Sequence, residues 1–299
     1  MKDLQADAAA VPLAAGPGAL ADFVSLTKPR LNLLVVATSA AGFYLGAPET
    51  PNLGPMAQTV VGTTLVAAGA AVLNQVAERR TDLLMRRTRM RPVPDGRVAP
   101  GQARVFGGVL SAGGLSLLTA VDLLAATLAL ATLIVYVAIY TPLKRHTPHA
   151  TLVGAVPGAL PPLIGWTASH GGISAGGIAL FAIVFFWQIP HFMAIAWMYR
   201  DDYANAGFPM LPVVDPSGRR AGRQAVLYAG ALLAASAAPA FAGVSGGAYL
   251  VTALALGVAL LWLAVRFAAT RTDDAARLLF FGSIAYLPTL WIAMIADRL

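Results

Sequence analysis

The sequence contains no cysteine, which excludes disulfide bridges, thiolate metal sites and cysteine nucleophiles. Charge is also scarce: 12% of the 299 residues are Asp, Glu, Lys or Arg, about half the fraction usual in soluble proteins. Hydrophobic residues make up 58%, and the mean hydropathy is +0.69. Long uncharged runs alternate with short charged segments, so the composition predicts an all-α, polytopic membrane protein.

The N-terminal region differs from the rest of the chain. Its first 26 residues are rich in Ala, Gly and Pro, and Lys2 is their one basic residue. They lack the apolar core of a cleaved signal peptide. We therefore expect a flexible cytoplasmic tail over residues 1–26 and a single membrane domain over residues 27–299.

Nine apolar segments follow, most of them near the ~20 residues that a helix needs to cross a bilayer. The predicted spans are residues 31–47, 56–77, 104–121, 123–141, 150–168, 175–198, 224–243, 246–265 and 278–296. Of the 21 Lys and Arg residues, 20 fall before the first span or in the even-numbered connections, and only Arg298 falls on the other side. This asymmetry predicts nine crossings, with the N-terminus cytoplasmic and the C-terminus external. It also accounts for the pI near 10.0, so no nucleic-acid partner is expected.

The connection after the second span contains the strongest candidate site, in the segment NQVAERRTDLLMRRTRMRP. Asn74, Glu78 and Asp82 are four residues apart, and such steps bring side chains to one face of a helix, roughly 6 Å apart along its axis. Carboxylate and amide oxygens suit Mg²⁺, which binds through carboxylates together with substrate phosphate oxygens. The basic residues that would favour such a phosphate are Arg86, Arg87, Arg89 and Arg91. The alternative is a solvated loop, in which acid–base pairs only support the helix end.

A second basic pair, Lys144 and Arg145, follows the fourth span in YTPLKRHTPHATLVGAVPGALPPLIGW. One interpretation is a phosphate clamp, in which the guanidinium forks onto oxygens and the ammonium acts as a point charge. The other is that both side chains extend to the lipid headgroups. In the next span, Pro157, Pro161 and Pro162 predict a broken or kinked helix.

The sixth span and its connection contain WQIPHF and, after it, DYANAGFPMLPVV. His191 and Asp202 are eleven residues apart and would share a face with Trp187 if the helix continued to Asp202. An ionisable residue inside a span indicates a functional site. The alternative for His191 is a buried histidine bonded to neighbouring backbone. Of Asp201 and Asp202, one is expected to be only a helix cap or a surface acid.

These three segments resemble the signature segments of the UbiA-type intramembrane prenyltransferases, in particular their protoheme IX farnesyltransferase branch. The resemblance extends from about Leu26 through the ninth span. It implies nine helices around a central cavity, with two acidic motifs that bind Mg²⁺ and an isoprenyl diphosphate. In this sequence the first motif corresponds to Asn74, Glu78 and Asp82, at the connection after the second span, which we call the first connection. The second motif corresponds to Asp202, in the connection after the sixth span, which we call the second connection.

Two positions depart from the wider superfamily and fit the heme branch. Glu78 stands where many relatives have Asp, and His191 stands where quinone-type relatives tend to have an acid. We expect His191 and Trp187 to bind the heme acceptor, with His191 orienting the heme through its iron or through a propionate. The residues expected to bind the diphosphate are Lys144, Arg145, Arg86, Arg87, Arg89 and Arg91.

The expected reaction joins farnesyl diphosphate to the vinyl group of heme b, with addition of water, to give heme O and diphosphate. The expected setting is a bacterial inner membrane. By analogy with the family, heme A synthase or terminal oxidase assembly proteins are expected protein partners. Two alternatives remain open: a UbiA-type prenyltransferase acting on a quinone-precursor or chlorin ring, and a transporter of an anionic lipid. A transporter would more naturally place its polar groups near the bilayer midplane.

Overall fold

The computed structural model describes residues 18–299, and in this part of the chain all the regular secondary-structure elements are helices. In chain order the elements are α1 Gly18–Leu26, α2 Pro29–Gly46, α3 Leu53–Asp82, α4 Pro100–Thr119, α5 Leu123–Ile134, a π-helix Val135–Tyr140, α6 Thr141–Leu143, α7 Ala150–His170, α8 Ala175–Met198, α9 Arg200–Asn205, α10 Leu211–Val214, α11 Arg219–Phe241, α12 Gly247–Thr270 and α13 Asp273–Ala296. The prediction of an all-α protein is confirmed.

The predicted spans coincide largely with the long helices of residues 18–299. These are α2, α3, α4, the continuous segment from α5 to α6, α7, α8, α11, α12 and α13. Six of them, namely α3, α5–α6, α8, α11, α12 and α13, are long and apolar enough to cross a membrane. The helices α2, α4 and α7 reach the length but are less apolar. The fold is thus that of a multi-pass membrane protein, while the count of nine crossings stays a prediction.

Local sequence signals explain where several helices begin. The side chain of Asn52 accepts a hydrogen bond from the first turn of α3, and Asp122 accepts one from Ala125 N at 2.6 Å at the start of α5. Thr272 caps α13 in the same way. Such side chains satisfy amide groups that have no partner within the helix. The short connection between α4 and α5 therefore ends at an N-cap, Asp122.

Helices α2 and α7 approach each other closely through small residues. A Cβ added to Gly165 of α7 would lie 2.0 Å from the carbonyl oxygen of Ser39, and one added to Gly42 of α2 would lie 2.1 Å from that of Pro162. The three prolines do not interrupt α7, which is helical throughout. Of the two predicted outcomes, the break is wrong and the kink stays a prediction. This close packing holds the proline-rich helix together, because small residues let helix backbones touch.

Residues 18–26 depart from the predicted tail, because they form helix α1. Leu26 is completely buried against Val72 and Val76 of α3. Phe23 packs edge-to-face on Phe106, with ring centroids 5.1 Å apart. These apolar contacts favour an ordered helix at the end of the segment that we predicted to be flexible. The remaining part of that tail, residues 1–17, lies outside the described residues.

Candidate active site

The three polar residues of α3 are buried. The helix continues through Asp82, and Asn74, Glu78 and Asp82 are exposed by 2%, 2% and 0%. A solvated loop would leave these side chains in water, so their burial argues against that alternative. Buried carboxylates require compensating charges or hydrogen bonds.

A π-helix positions the first of these compensating groups. Its extra residue per turn lets Thr141 Oγ donate to Tyr136 O at 2.7 Å, and Asn74 Nδ2 donates to the same hydroxyl oxygen at 3.0 Å. One turn further along, the ammonium of Lys144 forms an ion pair with Glu78 Oε1. Such π-helical segments occur frequently at functional sites. These two contacts join the segment that follows α5 to the acidic face of α3.

Aromatic rings surround the Lys144 ammonium. Its nitrogen lies 5.0 Å from the ring centroid of Phe208 and 5.6 Å from that of Tyr140. Cation–π attraction is effective at these distances. The Tyr140 ring also fills the space where a side chain at Gly154 would lie. No motif or spacing pointed to Tyr140 or Phe208, apart from their position near charged residues.

The carboxylate of Asp82 has one charged partner and one free oxygen. Its Oδ2 accepts a hydrogen bond from Arg91 Nη1 at 2.8 Å, and its backbone carbonyl accepts one from Thr88 Oγ at 2.9 Å. Its Oδ1 is buried and accepts no hydrogen bond from any residue in the range 18–299. A buried oxygen without a donor is suited to receive a cation.

The second connection contributes Asp202, which is 9% exposed, whereas Asp201 is exposed. The Oδ1 atom of Asp202 lies 3.7 Å from Arg86 Nε of the first connection. The condition for a shared face of His191 and Asp202 is not met, because α8 ends at Met198 and α9 begins at Arg200. A residue in a non-helical conformation separates them, so the eleven-residue spacing no longer fixes their relative direction.

Apolar side chains join the two long connections. Met85 of the first is packed with Ala206 and Phe208 of the second, and all three are buried. Tyr203 and Met210 pack around this cluster. The two connections therefore form one layer, and Asp202 joins this layer to Arg86, which follows α3 in the chain.

The remaining predicted cations occupy the edge of the site. Arg145 Nη2 donates to Thr81 Oγ at 3.3 Å, and the Arg87 guanidinium lies 5.6 Å from the Tyr199 ring centroid. The Arg86 side chain is 87% exposed. Arg89 is exposed and forms no ion pair or side-chain hydrogen bond with residues 18–299. Among the predicted cations, all of which lie within residues 18–299, Lys144 and Arg91 are the two that pair directly with the acids of α3.

Lys28 is a cation of this region that our sequence analysis counted only towards topology. It precedes α2 in a left-handed conformation, with φ of 50°. Burial, reinforced by the charges of Arg91 and Lys144 and opposed by those of Glu78 and Asp82, lowers the pKa of Lys28 to about 7. Lys28 and Arg91 also line a cavity of about 660 Å³ between α1, α2 and α3. The place of Lys28 in this region depends on contacts between segments that are distant in the sequence, and residue spacing does not reveal such contacts.

His191 lies at a separate place, between α8 and α13. Its Nδ1 is 2.8 Å from Ser283 Oγ, and the rings of Trp187 and Phe280 stack on it, with centroids 4.9 and 5.0 Å away. Trp187 Nε1 donates to the carbonyl of Ser283 at 2.7 Å. The predicted pair of Trp187 and His191 is therefore in contact. Neither Ser283 nor Phe280 was predicted to contact His191, because both lie about 90 residues further along the chain, in the predicted ninth span.

The carboxylates alone do not make a metal centre. Within residues 18–299 no group of three or more His, Cys, Asp or Glu side chains is arranged to hold a metal ion. Any divalent cation here would need amide or substrate oxygens besides the carboxylates, which is how Mg²⁺ is commonly bound.

An all-helical membrane fold with buried acids facing cations at one end is the arrangement of an intramembrane transferase for diphosphate substrates. The UbiA prenyltransferase family matches residues 35–287, and the chain belongs to this family. Two curated relatives are each called protoheme IX farnesyltransferase. The one from Solibacter usitatus is 46% identical over 93% of this chain and 98% of its own length. The one from Koribacter versatilis is 42% identical over 97% of both chains.

Solved structures agree on the fold at low sequence identity. A structure reported for digeranylgeranylglyceryl phosphate synthase has a TM-score of 0.80 at 14% identity and covers 93% of this chain and 98% of its own. A UbiA homolog from Archaeoglobus fulgidus bound to GPP and Mg²⁺ has a TM-score of 0.65 at 16% identity, covering 92% and 99%. The protein is thus a prenyltransferase with the UbiA fold.

Proposed function

We propose that the protein transfers the farnesyl group of farnesyl diphosphate to the vinyl group of protoheme IX, with addition of water, to give heme O and diphosphate. The names of relatives at 42–46% identity over nearly the whole chain support this substrate pair. The single structural observation that supports it is the buried acidic face of α3, paired with Lys144 and Arg91. A prenyl diphosphate needs both a metal ligand set and cations at such a place.

The donor set fits Mg²⁺, which a UbiA homolog binds together with GPP. Asn74, Glu78 and Asp82 would hold it, joined by Asp202 from the second connection. The free Oδ1 of Asp82 is the observation that supports this fit. When bound, Mg²⁺ neutralises the charge that develops on the leaving diphosphate. Because the protein supplies few carboxylates, diphosphate oxygens would complete the coordination.

The cations of the site then act on the leaving group. Lys144 and Arg91 are held close to Glu78 and Asp82, so they can share their charge with a diphosphate bound between them. Arg145 and the three other arginines of the first connection, Arg86, Arg87 and Arg89, lie further out. There they would attract the anion and hold its outer oxygens.

The acceptor end of the site is apolar. We assign His191 and Trp187 to heme binding, because their rings lie together on α8 within the helical core. Nine helices would enclose a central cavity for the farnesyl chain. Such a cavity keeps water from the allylic cation until the vinyl group attacks.

The proposed location is a bacterial inner membrane, with the N-terminus in the cytoplasm and the C-terminus outside. The distribution of 20 of 21 basic residues supports this orientation. In this orientation the acids and cations of the site would face the cytoplasm, into which the diphosphate product would be released. Heme A synthase and terminal oxidase assembly proteins stay predicted partners.

Mass analysis of hemes extracted from cells that express the protein tests the function. We expect a new species heavier than heme b by one farnesyl group plus water. Asp202→Asn should abolish most of it, whereas the matched control Asp201→Asn should not, because Asp201 is exposed. An unmodified heme pool alongside a prenylated quinone precursor or chlorin would refute the assignment. No prenylated product at all would favour an anionic-lipid transporter.

A further inference from the structure

Ser283 of α13 determines which nitrogen of His191 can bind a ligand. The Ser283 side chain is completely buried and touches the imidazole at Nδ1, 2.8 Å away. Trp187 and Phe280 both stack on the imidazole, with ring centroids 4.9 and 5.0 Å away. Together with the edge-on ring of Phe192, whose centroid is 5.7 Å away, these contacts hold the imidazole in place.

The direction of the Nδ1 hydrogen bond follows from counting hydrogens. Ser283 Oγ donates to Phe280 O at 2.6 Å, and a hydroxyl has a single hydrogen. With that hydrogen used, the oxygen can only accept from His191. The imidazole must then carry its proton on Nδ1, and Nε2 keeps its lone pair.

The Nε2 atom is both free and accessible. It forms no hydrogen bond within residues 18–299, yet it is not among the buried polar atoms of this range that lack a partner. A histidine that only joined α8 to α13 would gain nothing from an unbonded, accessible nitrogen. Metal-ligating histidines typically have this arrangement, with one nitrogen held by a hydrogen bond and the other directed to the metal.

We infer that Ser283 is a positioning residue, which holds His191 as the Nδ1–H tautomer so that Nε2 ligates the iron of the heme acceptor. The indole of Trp187 supports this arrangement, because it donates to the carbonyl of Ser283 at 2.7 Å while stacking on the imidazole. Iron ligation would fix the heme plane relative to the farnesyl donor. The identity of the ligand as heme rests on the proposed function. The tautomer of His191 does not, because it follows from the hydrogen bonds of Ser283.

Two measurements on the purified full chain test the inference separately. The first is ¹⁵N NMR of histidine-labelled protein without heme, with the His191 signals assigned from their loss in His191→Ala. We expect a protonated Nδ1 in the wild type and in Ser283→Thr, which retains the hydroxyl. Loss of this fixed tautomer is expected in Ser283→Ala. A protonated Nε2 in the wild type would overturn the inference whatever the enzyme's substrate is.

The second measurement is titration with ferric heme b, followed by absorption and electron paramagnetic resonance. We expect a nitrogen-ligated spectrum that His191→Ala loses. Ser283→Ala should weaken heme affinity by about 10-fold or more, and Ser283→Thr should restore it. Ser236→Ala is the matched control, because Ser236 is an equally buried serine whose hydroxyl bonds Tyr286 instead.

The outcomes separate the inference from the proposed function. Unchanged heme spectra in both His191→Ala and Ser283→Ala would overturn iron ligation, even if cells still accumulate heme O. Absence of heme O in cell extracts would overturn the function, whatever the tautomer of His191. A similar loss of heme affinity in Ser236→Ala would reduce the effect of Ser283 to general destabilisation and would also count against the inference.

Discussion

Arg91 is the counter-charge of a carboxylate that has no contact with solvent. The Asp82 side chain is 1% exposed, whereas that of Arg91 is 23% exposed, and the two are 2.8 Å apart. Arg91→Met leaves the carboxylate buried without its cation. Removing one partner of a buried pair usually costs 3–5 kcal/mol, and the partial exposure of Arg91 places our expectation at about 3 kcal/mol of unfolding free energy.

Magnesium should reverse this loss if Asp82 is a metal ligand. A divalent cation bound to the folded state supplies the missing positive charge. Saturating it at 100 times its dissociation constant contributes about 2.7 kcal/mol. We therefore expect Arg91→Met to unfold well below the wild type in EDTA and to recover most of the difference in excess Mg²⁺. Thermal unfolding of the detergent-solubilised protein, with and without Mg²⁺, measures both effects.

Arg86→Met provides the matched control. Arg86 also faces a buried acid, but its side chain is 87% exposed and lies 3.7 Å from Asp202. An exposed pair of this kind contributes about 0–1 kcal/mol. Equal stability of the two variants in EDTA would contradict our reasoning about Asp82. A response of Arg91→Met to Mg²⁺ no larger than that of the wild type would remove Asp82 from the metal site.

Three further predictions concern orientation, packing and charge. Reporter fusions after Arg97 and after Leu299 should give opposite signals, and matching signals would exclude an odd number of crossings. Gly165→Ala should destabilise the protein by about 1–3 kcal/mol or more, because its Cβ would meet an α2 carbonyl at 2.0 Å. Gly108→Ala should not, because Gly108 has open space around it. Equal thermal stability of the two variants would argue against the close contact, or seam, between α2 and α7. Farnesyl diphosphate affinity should fall as pH rises through about 7, since the ammonium of Lys28 loses its proton there; Lys28→Arg should remove this component, and an unaltered pH profile would exclude Lys28.

Residue spacing predicted the parts of the site that lie on one continuous helix. Asn74, Glu78 and Asp82 share a face because α3 is helical through Asp82, as the four-residue steps require. Trp187 and His191 are also four residues apart, and their rings are in contact. In both cases the relevant geometry is local, so helical periodicity was sufficient.

Prediction failed where tertiary contacts decide the conformation. The helix break at Tyr199 has no proline or glycine to signal it. The burial of Leu26 depends on α3, which begins well after it in the chain. The effect of Ser283 on His191 depends on a helix from the far end of the sequence. Composition and spacing contain no information on such pairings.

The seam between α2 and α7 has a consequence for how the protein enters the membrane. Both helices are less apolar than the six that qualify as spans, and their small residues face each other at Gly42 and Gly165. During synthesis α2 leaves the ribosome long before α7, so for that period its small-residue face has no partner. Marginally apolar helices insert poorly alone. As one of the predicted crossings, α2 would then be retained in the bilayer only after α7 has joined it, and a lesion in α7 should appear first as misinsertion of α2.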